Sequence, residues 1–373
     1  MRVRILFLVN HDVGIDNFRL EIVERFIADG YDVHISSPYG ERIDDLVALG
    51  AEFHEIKMER HGMNPIEELK LLNKYKLLMK AVKPDIVFGF TIKPNIYGAM
   101  AARKYHTPFV ANITGLGIAV ENEGIKQFMF LLLYKFAFYS IQQVFYQNDE
   151  NRKLFVDHHI AAGRGALLPG SGVNLIRYPC RPYPKDGVIK FAFISRIMEE
   201  KGIEQYLDAA EEIKSQYENT EFHVCGFCES EYNGRLQEMH KRGIADYHGM
   251  VRDIAGFMSG MHCIIHPTYY PEGISNVLLE ACATGRPIIT TDRAGCREVV
   301  EDGNNGFMVK QKDSRSLIAA IKKFLALSWD EKANMGLMAR LTVEQRFDRQ
   351  IVVGKYVEEV EKVKNHAEIL SEK

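Results

Sequence analysis

Two successive series of short apolar runs, each run followed by an amphipathic stretch, constrain the fold of this 373-residue chain more than any other feature. Runs rich in Val, Ile and Phe occur at 5–9, 33–36, 86–90, 109–113 and 144–146. Between two of them, Leu69, Leu72, Tyr75, Leu78, Met79 and Val82 recur at three- and four-residue spacing, which places them on one helix face. Continuous apolar strands alternating with helices predict a parallel sheet covered on both sides. The alternation pauses at 177–187, which holds three prolines and a glycine. Proline removes amide donors and stops helices, so this stretch is the expected linker. Runs then resume at 188–194, 222–224, 263–266, 288–290 and 307–309, and helical patterns follow from about residue 314. The expected class is α/β, with two Rossmann-like doubly wound domains at 1–178 and 179–347. Ligands of open α/β sheets bind beyond the carboxyl ends of the strands, so the site is expected in a cleft between two such edges.

Composition narrows the class of function. With 46% hydrophobic and 26% charged residues, the chain is neither disordered, collagen-like nor a small disulfide scaffold. Its 47 basic and 50 acidic side chains sum to −3, which argues against a dedicated nucleic-acid binder. The charge is divided unevenly: 23 basic against 20 acidic groups up to residue 185, and 24 against 30 beyond it. That split suggests domains facing different partners. Residues 1–10 are too short for a signal-peptide core and read as a first strand. The greasy stretch 128–141 is interrupted by Lys135 and falls short of a membrane span, so it reads as a buried helix. All six cysteines lie from residue 180 onward and suit reduced thiols of a cytoplasmic protein. Cys225 and Cys228 have redox-motif spacing but no second pair to complete a zinc site.

The segment from Glu272 to Glu280 carries the most chemistry. Glu272 is expected on a strand-to-helix loop, with Gly273 allowing close backbone approach and Ser275 capping the next helix. The free amides of that helix start would hold an anion such as a diphosphate, and Glu280 would present a carboxylate to a ribose diol. A capped surface helix with two solvated glutamates is the alternative. Arg196 follows the run at 188–194, and Lys201-Gly202 comes five residues later. These two cations form a cradle for a leaving diphosphate, or else a solvated charge cluster.

Arg196-x4-Lys201-Gly202 followed by Glu272-x7-Glu280 resembles the signature of glycosyltransferase family 4, retaining enzymes of the two-domain GT-B fold. The likeness spans essentially the whole chain and includes His266-Pro-Thr and Asp302-Gly-Asn-Asn-Gly306. The segments 269–280, 294–298, 91–98 and 114–117 resemble a branch of bacterial enzymes that build capsular and lipid-linked glycans, including N-acetylgalactosaminyl transfer onto a polyprenyl diphosphate. The resemblance implies a last helix, about 348–373, that packs back on the first domain.

What the resemblance implies for the site is specific. Arg196 and Lys201 would bind the diphosphate and Glu272 the donor sugar, the three together forming the catalytic group. Glu280 would hold the ribose, with Gly273, Ile274, Ser275, Asn276 and Arg252 completing the donor contacts. On the acceptor side, the loop 10–18 with Gly14 and Asn17 would face the cleft, joined by Lys93, Thr114 and Gly115. Thr114 stands where many members carry a histidine, and Cys225-Gly-Phe-Cys228 is a segment in which relatives often have a second glycine. The implied reaction is front-face transfer with retention from a UDP-sugar, carrying N-acetylgalactosamine or galactose, to a polyprenyl-diphosphate-linked glycan. No cofactor and no metal is expected, and the sequence contains no Asp-x-Asp. The stretch 57–83, with seven basic and three acidic groups, is the expected contact with an anionic membrane at the inner face of the plasma membrane. A UDP-sugar 2-epimerase of the same architecture and a non-catalytic sugar-nucleotide-binding subunit are the rival readings.

Overall fold

The computed structural model describes residues 2–371 except 60, 61, 63, 118, 119, 121–123, 186 and 229. The chain divides into two units, one of Met1–Ser171 with Arg349–Lys373 and one of Gly172–Asp348.

The first unit contains β1 (Arg4–Leu8), α1 (Asp12–Ala28), β2 (Asp32–Ser37), α2 (Arg42–Ala48), β3 (Glu52–Glu55), α3 (Pro65–Val82), β4 (Ile86–Phe90), α4 (Ile92–Lys104), β5 (Phe109–Ile113), α5 (Ile125–Ala137), β6 (Gln143–Tyr146), α6 (Asp149–Asp157), β7 (Gly165–Leu167) and, from the chain's end, α13 (Arg349–Ser371). Its seven strands lie in the order β3-β2-β1-β4-β5-β6-β7, and every pairing is parallel. Side chains alternate across the sheet as a strand requires. Leu6, Leu8, Val87 and Ala111 join the core beneath α3, α4 and α5, whereas Ile5, Phe7, Phe88 and Val110 join the core beneath α1 and α13. Tyr356 of α13 packs against Phe88, Phe90 and Phe145, and its hydroxyl bonds Asn112 Oδ1.

The second unit contains β8 (Ile189–Ile194), a 3-10 turn at Glu199–Lys201, α7 (Ile203–Gln216), β9 (Thr220–Cys225), α8 (Ser230–Lys241), β10 (Asp246–Tyr247), α9 (Ile254–Ser259), β11 (Cys263–His266), α10 (Asn276–Ala283), β12 (Ile288–Thr291), β13 (Gly306–Val309), α11 (Ser314–Ala326) and α12 (Trp329–Arg346). Its six strands follow the order β10-β9-β8-β11-β12-β13, again all parallel. Both units are therefore doubly wound α/β layers of the Rossmann type.

Three expectations are corrected. The chain passes between units at 171/172 and 348/349, so the proline-rich stretch 177–187 is not the crossing. Prolines remove donors but leave carbonyls, and the fully buried Arg286 takes up two carbonyls of this stretch: its guanidinium donates to Arg181 O at 3.3 Å and Pro182 O at 3.0 Å. Residues 12–18 are the first turns of α1 rather than a loop, because His11 Nδ1 accepts from Val13 N at 3.1 Å and starts the helix at once. Finally, the greasy stretch within 128–141 is a helix buried on one side only, with Phe128, Leu132, Phe136 and Tyr139 exposed.

Candidate functional site

In the second unit the chain builds outward from β8 through β9 and β10, then returns to β11 and builds the other way. The carboxyl ends of β8 and β11 thus flank the point where strand order reverses, the usual location of a ligand crevice. Arg196 lies two residues beyond β8, and Lys201 closes the 3-10 turn that follows. The segment leaving β11 reaches the same place with Tyr270 and Glu272. Lys201 Nζ donates to Glu272 Oε1, and the two side chains are only 10% and 14% exposed. Tyr270 lies beneath both cations, its ring centre 4.9 Å from Lys201 Nζ and 5.6 Å from Arg196 Cζ. Structure therefore brings the three expected catalytic side chains into one constellation.

Two glycines make the loops fit. Gly202 has φ +80°, and a Cβ there would come within 2.2 Å of Pro267 O. Only glycine lets the turn after β8 lie this close to the segment after β11. The two are stitched by Tyr269 N donating to Glu200 O at 2.8 Å and by the Thr268 hydroxyl at 3.2 Å to the same oxygen. On the other flank Gly295 has φ +91°, and its Cβ would meet Gly273 O at 2.5 Å. Ser275 N donates to Gly295 O at 2.8 Å, and Arg293 Nε donates to Tyr270 O at 2.9 Å. The Glu272 loop is clamped between its neighbours rather than resting on its own turn propensity.

The electrostatics are those of a buried cationic centre. Burial, reinforced by Arg196 and Arg293, pushes the Lys201 ammonium down to about 7, while the Glu272 carboxylate in contact with it opposes that shift. His266, at the end of β11, is 1% exposed and has its Nε2 3.7 Å from Glu272 Oε1. Burial and the Lys201 charge hold its imidazole well below the usual value, hence neutral. His266, Tyr270 and Arg293 were not among the expected site residues. The sequence signal for the first two is their place in His266-Pro-Thr-Tyr-Tyr270, directly between a strand and Glu272; Arg293 has the weaker signal of following β12.

Ser275 occupies the N-cap position of α10, but its side chain makes no capping bond, contrary to expectation. Helix α10 buries Leu278, Leu279 and Ala281–Ala283 and leaves Asn276, Val277 and Glu280 partly open. Asn276 and Glu280 are four residues apart and share that open face. Gly273, Ile274 and Ser275 are buried beside it. Arg252 stands exposed on the loop between β10 and α9, at the same carboxyl edge of the sheet.

The five expected acceptor-side residues all lie in the first unit. Gly14 and Asn17 are on α1, where Asn17 Oδ1 accepts from Arg42 at 2.6 Å. Lys93, in the first turn of α4, pairs with Glu68 of α3 at 2.6 Å. Thr114 and Gly115 follow β5, next to β4 in the sheet. At the end of β4, Thr91 takes φ +70°, a conformation that β-branched side chains rarely adopt and that marks local strain at the same sheet edge.

Burial pushes the Cys225 thiol up to about 12, which disfavours the thiolate that a redox pair with Cys228 would need. Gly226 between them would place a Cβ 1.7 Å from Ser195 O, so this short segment serves strand-end packing beside β8. Among the described residues, His34, Glu52 and His54 bring donor atoms within 4.8 Å of one another, on β2 and β3 of the first unit. Burial lowers both imidazoles, which bond each other at 3.1 Å.

A Glycosyl transferase 4-like family model matches residues 4–148, and a Glycosyl transferases group 1 model matches residues 189–326. The chain is 23% identical to the N,N'-diacetylbacillosaminyl-diphospho-undecaprenol alpha-1,3-N-acetylgalactosaminyltransferase of Campylobacter jejuni, over 97% of this chain and 99% of that one. It is 26% identical to the capsular polysaccharide biosynthesis glycosyltransferase CapM of Staphylococcus aureus, over 86% and 87% of the two chains. Among solved structures, a glycosyltransferase from Rickettsia africae superposes with a TM-score of 0.80 at 17% identity, covering 97% of this chain and 98% of that one. Anabaena HepE in complex with UDP-glucose superposes with a TM-score of 0.78 at 18% identity, covering 97% and 100%.

Proposed function

From the premise that this chain belongs to the glycosyltransferases, with a 4-like domain followed by a group 1 domain in the GT-B fold, we propose that it transfers a hexose or N-acetylhexosamine from a UDP-sugar. The sugar is N-acetylgalactosamine or galactose, and the acceptor is a glycan carried on polyprenyl diphosphate during assembly of a surface polysaccharide or glycoprotein glycan at the inner face of the plasma membrane. The diphospho-undecaprenol acceptor in the Campylobacter relative's name and the UDP-glucose complex of the Anabaena neighbour support this choice of substrates. The observation that carries the reading is the buried Lys201–Glu272 pair, set with Arg196 where the strand order reverses.

In this reading each residue takes a separate role. Arg196 and Lys201 neutralise the diphosphate as the glycosidic bond breaks, and the open first turn of α10 adds backbone amides. Glu272, fixed by the clamp of Gly202 and Gly295, accepts from sugar hydroxyls, and Glu280 from the ribose. Gly273, Ile274, Ser275, Asn276 and Arg252 complete the donor contacts. Gly14, Asn17, Lys93, Thr114 and Gly115 belong to the acceptor side. Without a side-chain nucleophile, the departing phosphate oxygen takes the acceptor's proton and the anomeric configuration is retained.

The test is a screen of UDP-sugars with and without a polyprenyl-diphosphate glycan, scored by release of UDP and growth of the glycan. Arg196→Ala, Lys201→Ala and Glu272→Ala are each expected to lower kcat by about 100-fold or more. Chelator is expected to leave turnover unchanged. Wild-type rates in all three variants would refute the site, and loss on chelation restored by magnesium or manganese would refute the metal-independent mechanism.

A further inference from the structure

Helix α5 is apolar almost all the way round: Ile-Lys-Gln-Phe-Met-Phe-Leu-Leu-Leu-Tyr-Lys-Phe-Ala contains ten apolar residues and no acid. A helix of that kind needs an apolar environment on every side. The first unit covers only one, where Leu131, Tyr134 and Ala137 are buried. Ile125, Phe128, Leu132 and Phe136 recur at three- and four-residue spacing on the open side, continued by Tyr139, and each is more than half exposed. This is a ridge, not scattered exposure.

Its rim is basic. Lys126 and Lys135 stand on the helix itself, and Arg103 of α4 lies 4.5 Å over the Phe136 ring while donating to Phe136 O at 3.0 Å. Arg164 donates to Tyr139 O at 3.1 Å. A shallow hollow is lined by Arg103, Leu132, Lys135, Phe136 and Tyr139. We propose that the outer face of α5 docks the first unit onto an anionic lipid surface, burying Phe128, Leu132 and Phe136 among acyl chains while Lys126, Lys135 and Arg103 reach the headgroup phosphates.

Charge selects this occupant. A second copy of the chain meeting the same face across a twofold axis would set Lys126, Lys135 and Arg103 against their own equivalents, with no acid on α5 to offset them. Aromatic and leucine side chains flanked by long cations fit the boundary between acyl chains and phosphates, since the alkyl stems of lysine and arginine can lie along the apolar ridge. The basic helix α3 is a weaker contact than its sequence suggests, because Lys70 pairs with Glu67 and Lys74 Nζ donates to Lys57 O at 3.3 Å. The docking rests on this surface alone and not on the acceptor proposed above.

The test uses the full chain in flotation with phosphatidylcholine vesicles, with and without phosphatidylglycerol. The wild type is expected to float with the anionic vesicles, and Phe128→Ser/Leu132→Ser/Phe136→Ser to lose binding by about tenfold or more. Melting temperature and UDP-sugar hydrolysis in that variant should match the wild type, which separates docking from folding and from catalysis. Lys126→Glu/Lys135→Glu should abolish the preference for phosphatidylglycerol. The proposal is overturned if the wild type does not bind vesicles or if the triple serine variant binds as well as the wild type. It is also overturned if reversal of Lys70, Lys74, Lys76 and Lys80 to Glu, rather than the α5 substitutions, removes binding, or if light scattering shows a dimer that the serine variant breaks without any change in flotation.

Discussion

Lys201 is subject to opposing demands, and its protonation should govern how the donor is held. Burial and the charges of Arg196 and Arg293 favour the neutral amine, whereas Glu272 and an incoming diphosphate favour the ammonium. With the free group brought down to about 7, binding of a diphosphate raises it again, so the complex holds more protons than its parts above that pH. UDP affinity is therefore expected to fall as pH rises above about 7, by up to about tenfold per unit. Calorimetry at about pH 8 in buffers of different ionisation heat should record proton uptake, and Lys201→Met should abolish it. A wild type that binds UDP without taking up protons would exclude Lys201 from the phosphate site. Glu272 and Lys201 were both legible as single residues, but their pairing was not, since 71 positions separate them and only the strand reversal brings them together.

At the scale of elements, strands were easier to read than helix ends or helix faces. Apolar runs of three to seven residues in this alternating pattern have few alternatives to a buried parallel strand, and all ten predicted runs correspond to strands. Helix starts depend on single side chains, and two readings failed for that reason. The cap of α1 is a histidine, outside the usual capping set, while Ser275, inside that set, makes no capping bond. Asp313, by contrast, accepts from Ser316 N at 2.9 Å at the start of α11. Asp313→Ala is expected to cost about 1 kcal/mol in urea unfolding and Ser275→Ala markedly less. Equal losses would mean that the Ser275 hydroxyl supports α10 after all. Periodicity likewise identified α5 as apolar without telling which side the protein would cover, because that depends on the neighbours a helix meets.

For the whole molecule, the decisive fact is that Gly172–Asp348 is continuous whereas the first unit is assembled from 1–171 and the terminal helix α13. Arg196, Lys201, Glu272 and Glu280 all fall in the continuous piece, so residues 172–348 expressed alone are expected to fold and bind UDP within about tenfold of the full chain. Truncation after residue 348 should instead unfold the first unit at a lower temperature, since Tyr356 and its aromatic neighbours lose their contact and an apolar strip of the sheet is uncovered. Retained stability without α13, measured by thermal denaturation and proteolysis, would contradict this. The same threading imposes an order of events during synthesis. All strands of the first sheet leave the ribosome early, but the helix that completes one face of it leaves last, after the second unit already has its full sequence. The nascent amino-terminal half must therefore wait, with Phe88 and Phe90 exposed, through translation of the whole insert, and a chaperone engaging that face would act on a requirement set by chain connectivity alone.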